Sequence, residues 1–277
     1  MAVDQHYENF PVASFLLPPA IRSHVVAIYR FARHADDVAD EGDADADTRL
    51  LQLAQLRADV AALFRNQLVD APTVRALAPL RDADIPGIGA KPFLDLLSAF
   101  SQDVHTQRYE SYAALENYCQ RSANPVGRLM LALSGVQDAI STQSSDQICT
   151  SLQLINFWQD AAIDASRGRI YVPQEDFAKF NVTDENFPQH PQHQALMRFQ
   201  CDRAQRLMLA GAPLLTALRG RLRLEIAFTM AGGLRILQKI AGNAFDVRIR
   251  PKLRWYDSVQ LLLIALRLLL NSRRSPT

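Results

Sequence analysis

From Gln153 the sequence runs Gln153-Leu154-Ile155-Asn156-Phe157-Trp158-Gln159-Asp160-Ala161-Ala162-Ile163-Asp164. At helical spacing Gln153, Asn156, Asp160 and Asp164 fall on one line, at i, i+3, i+7 and i+11. Leu152, Leu154, Ile155, Phe157, Trp158 and Ile163 surround that line. A helix apolar nearly all round is buried, and buried carboxylates need a partner. The pattern has a counterpart 124 residues earlier, where Tyr29, Arg33, Asp36 and Asp40 follow i, i+4, i+7 and i+11, with Asp37 and Glu41 beside them. Aspartates one turn apart repel each other by about 0.2–0.5 kcal/mol, and carboxylates late in a helix oppose its dipole. One such cluster alone reads as a solvated helix face. Two of them among apolar neighbours point to cations bound between two helices. Magnesium suits this donor set, because it takes oxygen ligands and is usually shared between carboxylates and substrate phosphates. Arg33, Arg167 and Arg169 are placed to meet the phosphate oxygens.

The rest of the chain agrees with a helical setting. Of 277 residues, 48% are apolar and 21% charged, a balance that excludes a disordered or fibrous chain. Only 11 residues are glycine, and strand alternation is nearly absent. The periodicity predicts helices over 19–41, 47–68, 72–82, 90–107, 111–138, 144–166, 191–217, 221–242 and 252–271, with a further short turn at 174–177. No repeat or linker divides the chain, so the expectation is an all-α single domain over residues 1–277. A formal charge of +1 argues against nucleic-acid binding. Three scattered cysteines fit a reducing compartment. The first ten residues lack the basic and apolar regions of a secretory signal, and no stretch is long enough to span a membrane. These readings place the protein in the cytoplasm.

Tyr29-x-x-x-Arg33-x-x-Asp36-Asp37-x-x-Asp40, then Gln153-x-x-Asn156-x-x-x-Asp160-x-x-x-Asp164, then Gly168-Arg169-Ile170-Tyr171-Val172-Pro173, resemble the squalene/phytoene synthase family from about Phe10 to Leu237. The resemblance implies an all-α isoprenoid synthase fold with a central cavity between two Asp-rich helices. It implies Mg2+ held by Asp36, Asp37, Asp40, Asn156, Asp160 and Asp164. By the same likeness Arg33, Gln153 and Arg169 bind the diphosphate of an isoprenoid substrate, and Tyr29 and Tyr171 line the reacting centre. Ionising such a substrate leaves a carbocation that needs a dry, π-rich wall. Phe10, Phe31, Phe157 and Trp158 are candidates for it, although each is also suited to core packing.

Several positions depart from the family pattern. Phe157-Trp158-Gln159-Asp160 stands where many relatives carry Leu-Arg-Asp, Gln120-Arg121-Ser122-Ala123-Asn124 interrupts an otherwise apolar wall, and Leu234 replaces a common tyrosine. With His6–Ser14, these departures resemble the bacterial hopanoid branch that converts presqualene diphosphate into hydroxysqualene by water capture, without NADPH. A buried water needs about three polar partners. One or more of Gln120, Arg121, Ser122 and Asn124 is expected to hold the attacking water, with Asn124 a catalytic candidate, unless Asn124-Pro125 merely caps or kinks a helix and Arg121 is structural. Two other readings stay open: head-to-head condensation of farnesyl diphosphate to presqualene diphosphate, squalene or dehydrosqualene, and a non-catalytic assembly factor of the same fold. The resemblance also allows a sister synthase that hands over the intermediate. Val259–Leu270, followed by Arg273 and Arg274, reads either as a terminal helix packed on the core or as a peripheral contact with the inner face of the membrane.

Overall fold

The computed structural model describes residues 16–187 and 189–272. Among them it has thirteen α-helices, one 3-10 turn and no strand. In chain order the helices are α1 (Pro19–Asp40), α2 (Ala46–Leu63), α3 (Pro72–Arg75), α4 (Ala78–Asp82), α5 (Ala90–Asp103), α6 (Tyr112–Ser122), α7 (Asn124–Leu133) and α8 (Ala139–Ser166). They continue as α9 (Gln174–Lys179), α10 (His193–Ala210), α11 (Leu214–Ala217), α12 (Gly220–Gly242) and, after the 3-10 turn Trp255–Asp257, α13 (Ser258–Asn271). The fold is the all-α class expected.

Local chemistry explains where the breaks differ from the periodicity. The run expected over 111–138 is two helices, because the backbone is distorted to φ −119° at Ala123 and Pro125 can donate no backbone hydrogen bond. The 72–82 segment likewise divides, and 191–217 breaks at Gly211–Pro213. The 47–68 helix stops at Leu63, with Asn66 in the left-handed region at φ 60°. α8 starts earlier than expected because the Asp138 side chain accepts the backbone N–H of Ser141 at 2.8 Å, an N-cap that periodicity alone does not reveal.

α1 carries two stripes. Ile28, Phe31, Ala35 and Ala39 are buried and face α2, α3 and α5, with Phe31 edge-on to Phe93 at 5.3 Å. Phe31 is therefore core and not cavity wall. The other stripe carries Tyr29, Arg33, Asp36 and Asp40. α8 is central to the second hydrophobic cluster, packed by α6, α7, α10, α11 and α12. Two close approaches require glycine there: a Cβ on Gly127 would lie 2.5 Å from Ser145 Oγ, and one on Gly211 would lie 2.6 Å from the Ser144 carbonyl. α5 and α7 feed both clusters, Phe93 and Leu129 into one, Ala99 and Leu131 into the other. The space left between α1 and α8 holds the candidate site.

Candidate active site

A cavity of about 800 Å³ opens between the two aspartate stripes. Tyr29, Arg33, Asp36 and Asp40 line it from α1, and Gln153, Asn156, Phe157, Asp160 and Asp164 from α8. Arg167, Arg169 and Tyr171 follow directly after α8 and line it too. Most of the residues singled out in sequence thus line one cavity. Beyond the carboxylates the lining turns apolar, with Ile148, Leu152, Leu214, Leu218 and Leu222.

The turn that ends α8 puts Arg169 into the site. Gly168 adopts φ 80°, its N–H meets the Ala165 carbonyl at 3.0 Å, and the Arg169 N–H meets that of Asp164 at 2.9 Å. This double closure is a Schellman motif, which favours glycine at the left-handed position. It returns the chain so that Arg169 donates both terminal nitrogens to Asp40, at 3.0 and 2.9 Å, joining the two motifs. The next residues are held against the 107–110 segment: Ile170 N–H donates to Gln107 and Gln174 N–H to Tyr109. Tyr171 is thereby laid flat on Phe157, ring centroids 3.6 Å apart and planes 8° apart. Tyr118, also in the lining, leans on both rings.

Each carboxylate stripe has its own cations. Arg33 pairs with Asp36 at 3.3 Å and Glu41 at 2.8 Å, and touches Asp37 Oδ1 at 2.8 Å without hydrogen-bond geometry. Arg250, on the segment after α12, grips Asp160 through Nε and, at 2.9 Å, through Nη2. Asp164 is the exception: burial, and then the Asp160 charge, push its carboxyl from 3.8 up to about 7, against the pull of Arg169 and Arg167.

The donor chemistry fits Mg2+. Asp36, Asp40, Asn156, Asp160 and Asp164 present only oxygen donors, apart from the amide nitrogen of Asn156, to one cavity. Among the described residues no three acidic, His or Cys groups cluster tightly enough to hold a metal by themselves.

Five expectations are corrected or fall elsewhere. Trp158, only 1% exposed, does not line the cavity; it points into the core one residue round the helix from Phe157. Asn124 is buried between α7 and α8, where its Oδ1 accepts the Thr150 hydroxyl at 3.0 Å, and it is not in the lining. Gln120 is exposed and Arg121 binds Ser98, Gln102 and Asn117, so of that polar run only Ser122 reaches the cavity. Asp37 sits beside the wall rather than in it. Phe10 lies outside the described residues.

Two further residues belong to the site. Arg250 arrives through tertiary structure, held in place where Gln159 Nε2 donates to the Pro251 carbonyl at 2.7 Å. The only local signal was an arginine-rich stretch before α13. Asp103, at the end of α5, is buried beneath the site, accepts the Tyr118 hydroxyl at 2.7 Å, and is pushed up to about 7 mainly by that burial. Nothing in its sequence surroundings distinguishes it.

A model of the squalene/phytoene synthase family matches residues 3–257. A hydroxysqualene synthase of Rhodopseudomonas palustris is 34% identical over 238 residues, 84% of this chain and 79% of that protein. One of the same name from Sinorhizobium fredii is 34% identical over 232 residues, 81% of this chain and 76% of its own. The squalene synthase HpnC from Alicyclobacillus acidocaldarius, a crystal structure, matches with TM-score 0.79 and 32% identity, covering 87% of this chain and 90% of that one.

Proposed function

The chain belongs to the squalene/phytoene synthase family, and from that premise we propose that it ionises presqualene diphosphate and lets water capture the rearranged cation, giving hydroxysqualene and diphosphate. The observation that carries this reading is the division of one cavity into an Asp/Arg end and an aromatic and aliphatic end. The names of the two sequence relatives support the choice of product.

The chain's own groups account for the steps. Arg33, Arg169 and Arg250 lie where they can take diphosphate oxygens, Gln153 adds an amide donor, and leaving their carboxylate partners exchanges one anion for another. Asp36, Asp40, Asn156, Asp160 and Asp164 would hold Mg2+, with Asp37 supporting through Arg33. Bound there, Mg2+ supplies Lewis-acid stabilisation of the charge that develops on the leaving group. The ester C–O bond breaks with its electron pair staying on the diphosphate. The faces of Tyr171, Phe157, Tyr118 and Tyr29 then flank the cation, whose charge an aromatic face attracts. Water adds to the cation and loses its proton to the departing diphosphate. Ser122 is the member of the polar run placed to hold that water, and no reductant is needed.

The solved HpnC relative is named a squalene synthase, which favours a second reading: condensation of two farnesyl diphosphates to presqualene diphosphate and, with a hydride donor such as NADPH, onward conversion to squalene. Product analysis separates the two. With Mg2+ and presqualene diphosphate but no NADPH, the first reading expects hydroxysqualene, and nothing from farnesyl diphosphate alone. Consumption of farnesyl diphosphate alone, with presqualene diphosphate or a hydrocarbon appearing, establishes the second.

A further inference from the structure

The structure leaves one long apolar surface on the outside of the molecule. On α13, Val259, Leu262, Leu263, Leu266 and Leu270 follow i, i+3, i+4, i+7 and i+11, a single stripe. They are 45–63% exposed, whereas Ala265 and Leu268 on the opposite face are buried against the core formed with α12. Trp255, 86% exposed, and Tyr256 stand at the head of this stripe. A helix apolar on the face turned away from its own protein is not explained by core packing, and no helix among the described residues is long and apolar enough to cross a membrane.

The charges around the stripe have one sign. Between Val247 and Ser272 the only acid is Asp257, which is buried and bound by Arg235 at 2.9 Å and Lys239 at 2.7 Å. Lys252, Arg254 and Arg267 are exposed. At the far end of α13, Arg223 donates to the Leu269 carbonyl at 3.2 Å, which brings the start of α12, with Arg219 and Arg221 exposed, alongside.

We infer that α13 and the Trp255–Tyr256 turn form a docking face for an anionic lipid bilayer, lying in the headgroup region with the leucine stripe inward. Leucines inward, aromatics at the interface and cations at the rim are what an interfacial helix requires, and cations around the stripe favour anionic headgroups over a second copy of the same basic face. The placement also serves access. α12 separates the stripe from the cavity, which its Leu222, Ile226 and Thr229 line, and Arg250 in the cavity wall lies five residues before Trp255. The inference stands on this surface and not on which diphosphate is the substrate.

The test is co-sedimentation of the full chain with phosphatidylcholine vesicles, with and without phosphatidylglycerol. Binding is expected with the anionic vesicles, weakened by salt. Leu262→Glu/Leu266→Glu should lower the partition coefficient by about tenfold or more, with the helical circular dichroism unchanged. If that variant unfolds, Arg254→Glu/Arg267→Glu replaces it, and a several-fold loss of the preference for anionic vesicles is expected. Failure to bind either vesicle, or binding that neither variant changes, overturns the inference. So does a lipid-free dimer that Leu262→Glu/Leu266→Glu abolishes, which would give the face to a second copy.

Discussion

α1 and α8 carry aspartate stripes of the same spacing, yet the two are charged differently. On α1 the carboxylates are about 40% exposed and answered by Arg33 from their own helix and Arg169 from across the cavity. On α8, Asp160 has Arg250, but Asp164 is half-buried and repelled by Asp160, and both effects push its carboxyl up to about 7. The first stripe is therefore already answered by arginines, whereas the second is short of positive charge. An arriving cation completes the second helix and only has to compete for the first.

The largest effect expected of any change to this pair is from Asp160→Ala. It removes a ligand oxygen and leaves Arg250 without its partner, and should cut kcat by on the order of 10²–10³-fold or more, with helical content kept. Asp36→Ala should do likewise. Loss of the fold in either variant would make the stripes structural and dissolve the comparison.

The asymmetry is sharpened by pH. With its pKa raised, Asp164 binds a proton in the folded chain across a window, from about 4 to about 7, where the unfolded chain has lost it. The unliganded protein therefore loses stability as pH rises through that window, and Asp103 adds in the same direction. Under the proposed reading Mg2+ binds the ionised carboxylate, so its affinity should rise over the same window with release of a proton. Asp164→Asn should flatten both trends and raise the unliganded Tm by a few degrees above it; thermal scans and calorimetry at several pH values check this. Equal trends in Asp36→Asn would erase the difference between the helices.

Gly168→Ala tests the link between the stripes. A side chain at φ 80° costs about 1–2 kcal/mol, and relieving that strain would move Arg169 off Asp40. Activity should fall several-fold, mainly in kcat, with binding at Arg33 preserved. The smallest effect belongs to Asn124→Ala. It should cost about 1 kcal/mol by releasing the Thr150 hydroxyl and leave the ratio of alcohol to hydrocarbon unchanged, while Ser122→Ala shifts that ratio. Product chromatography of the two variants decides which residue touches the water.

Both stripes were legible in sequence because they are local: i, i+3 and i+4 spacing fixes which side chains share a helix face before any tertiary contact exists. The cap at Asp138, the break at Ala123 and the burial of Trp158 were less so. Phe157 and Trp158 are neighbours on an apolar helix, and composition cannot say which of two adjacent rings meets the cavity. Ser122 and Asn124 straddle the break, so polarity located the region but not the residue. Arg250 reaches Asp160 from 90 residues away, and Asp103 becomes unusual only once α6 and Tyr118 close over it. Neither leaves a trace in local spacing.

The central claim, that a diphosphate leaves intact from the two stripes and water takes its place at carbon, is open to one direct measurement. Presqualene diphosphate is turned over with Mg2+, without NADPH, in water enriched in oxygen-18, and both products are weighed by mass spectrometry. One label in the hydroxysqualene hydroxyl and none in the diphosphate is the predicted result. Label in the released phosphate, or no alcohol at all, would contradict it.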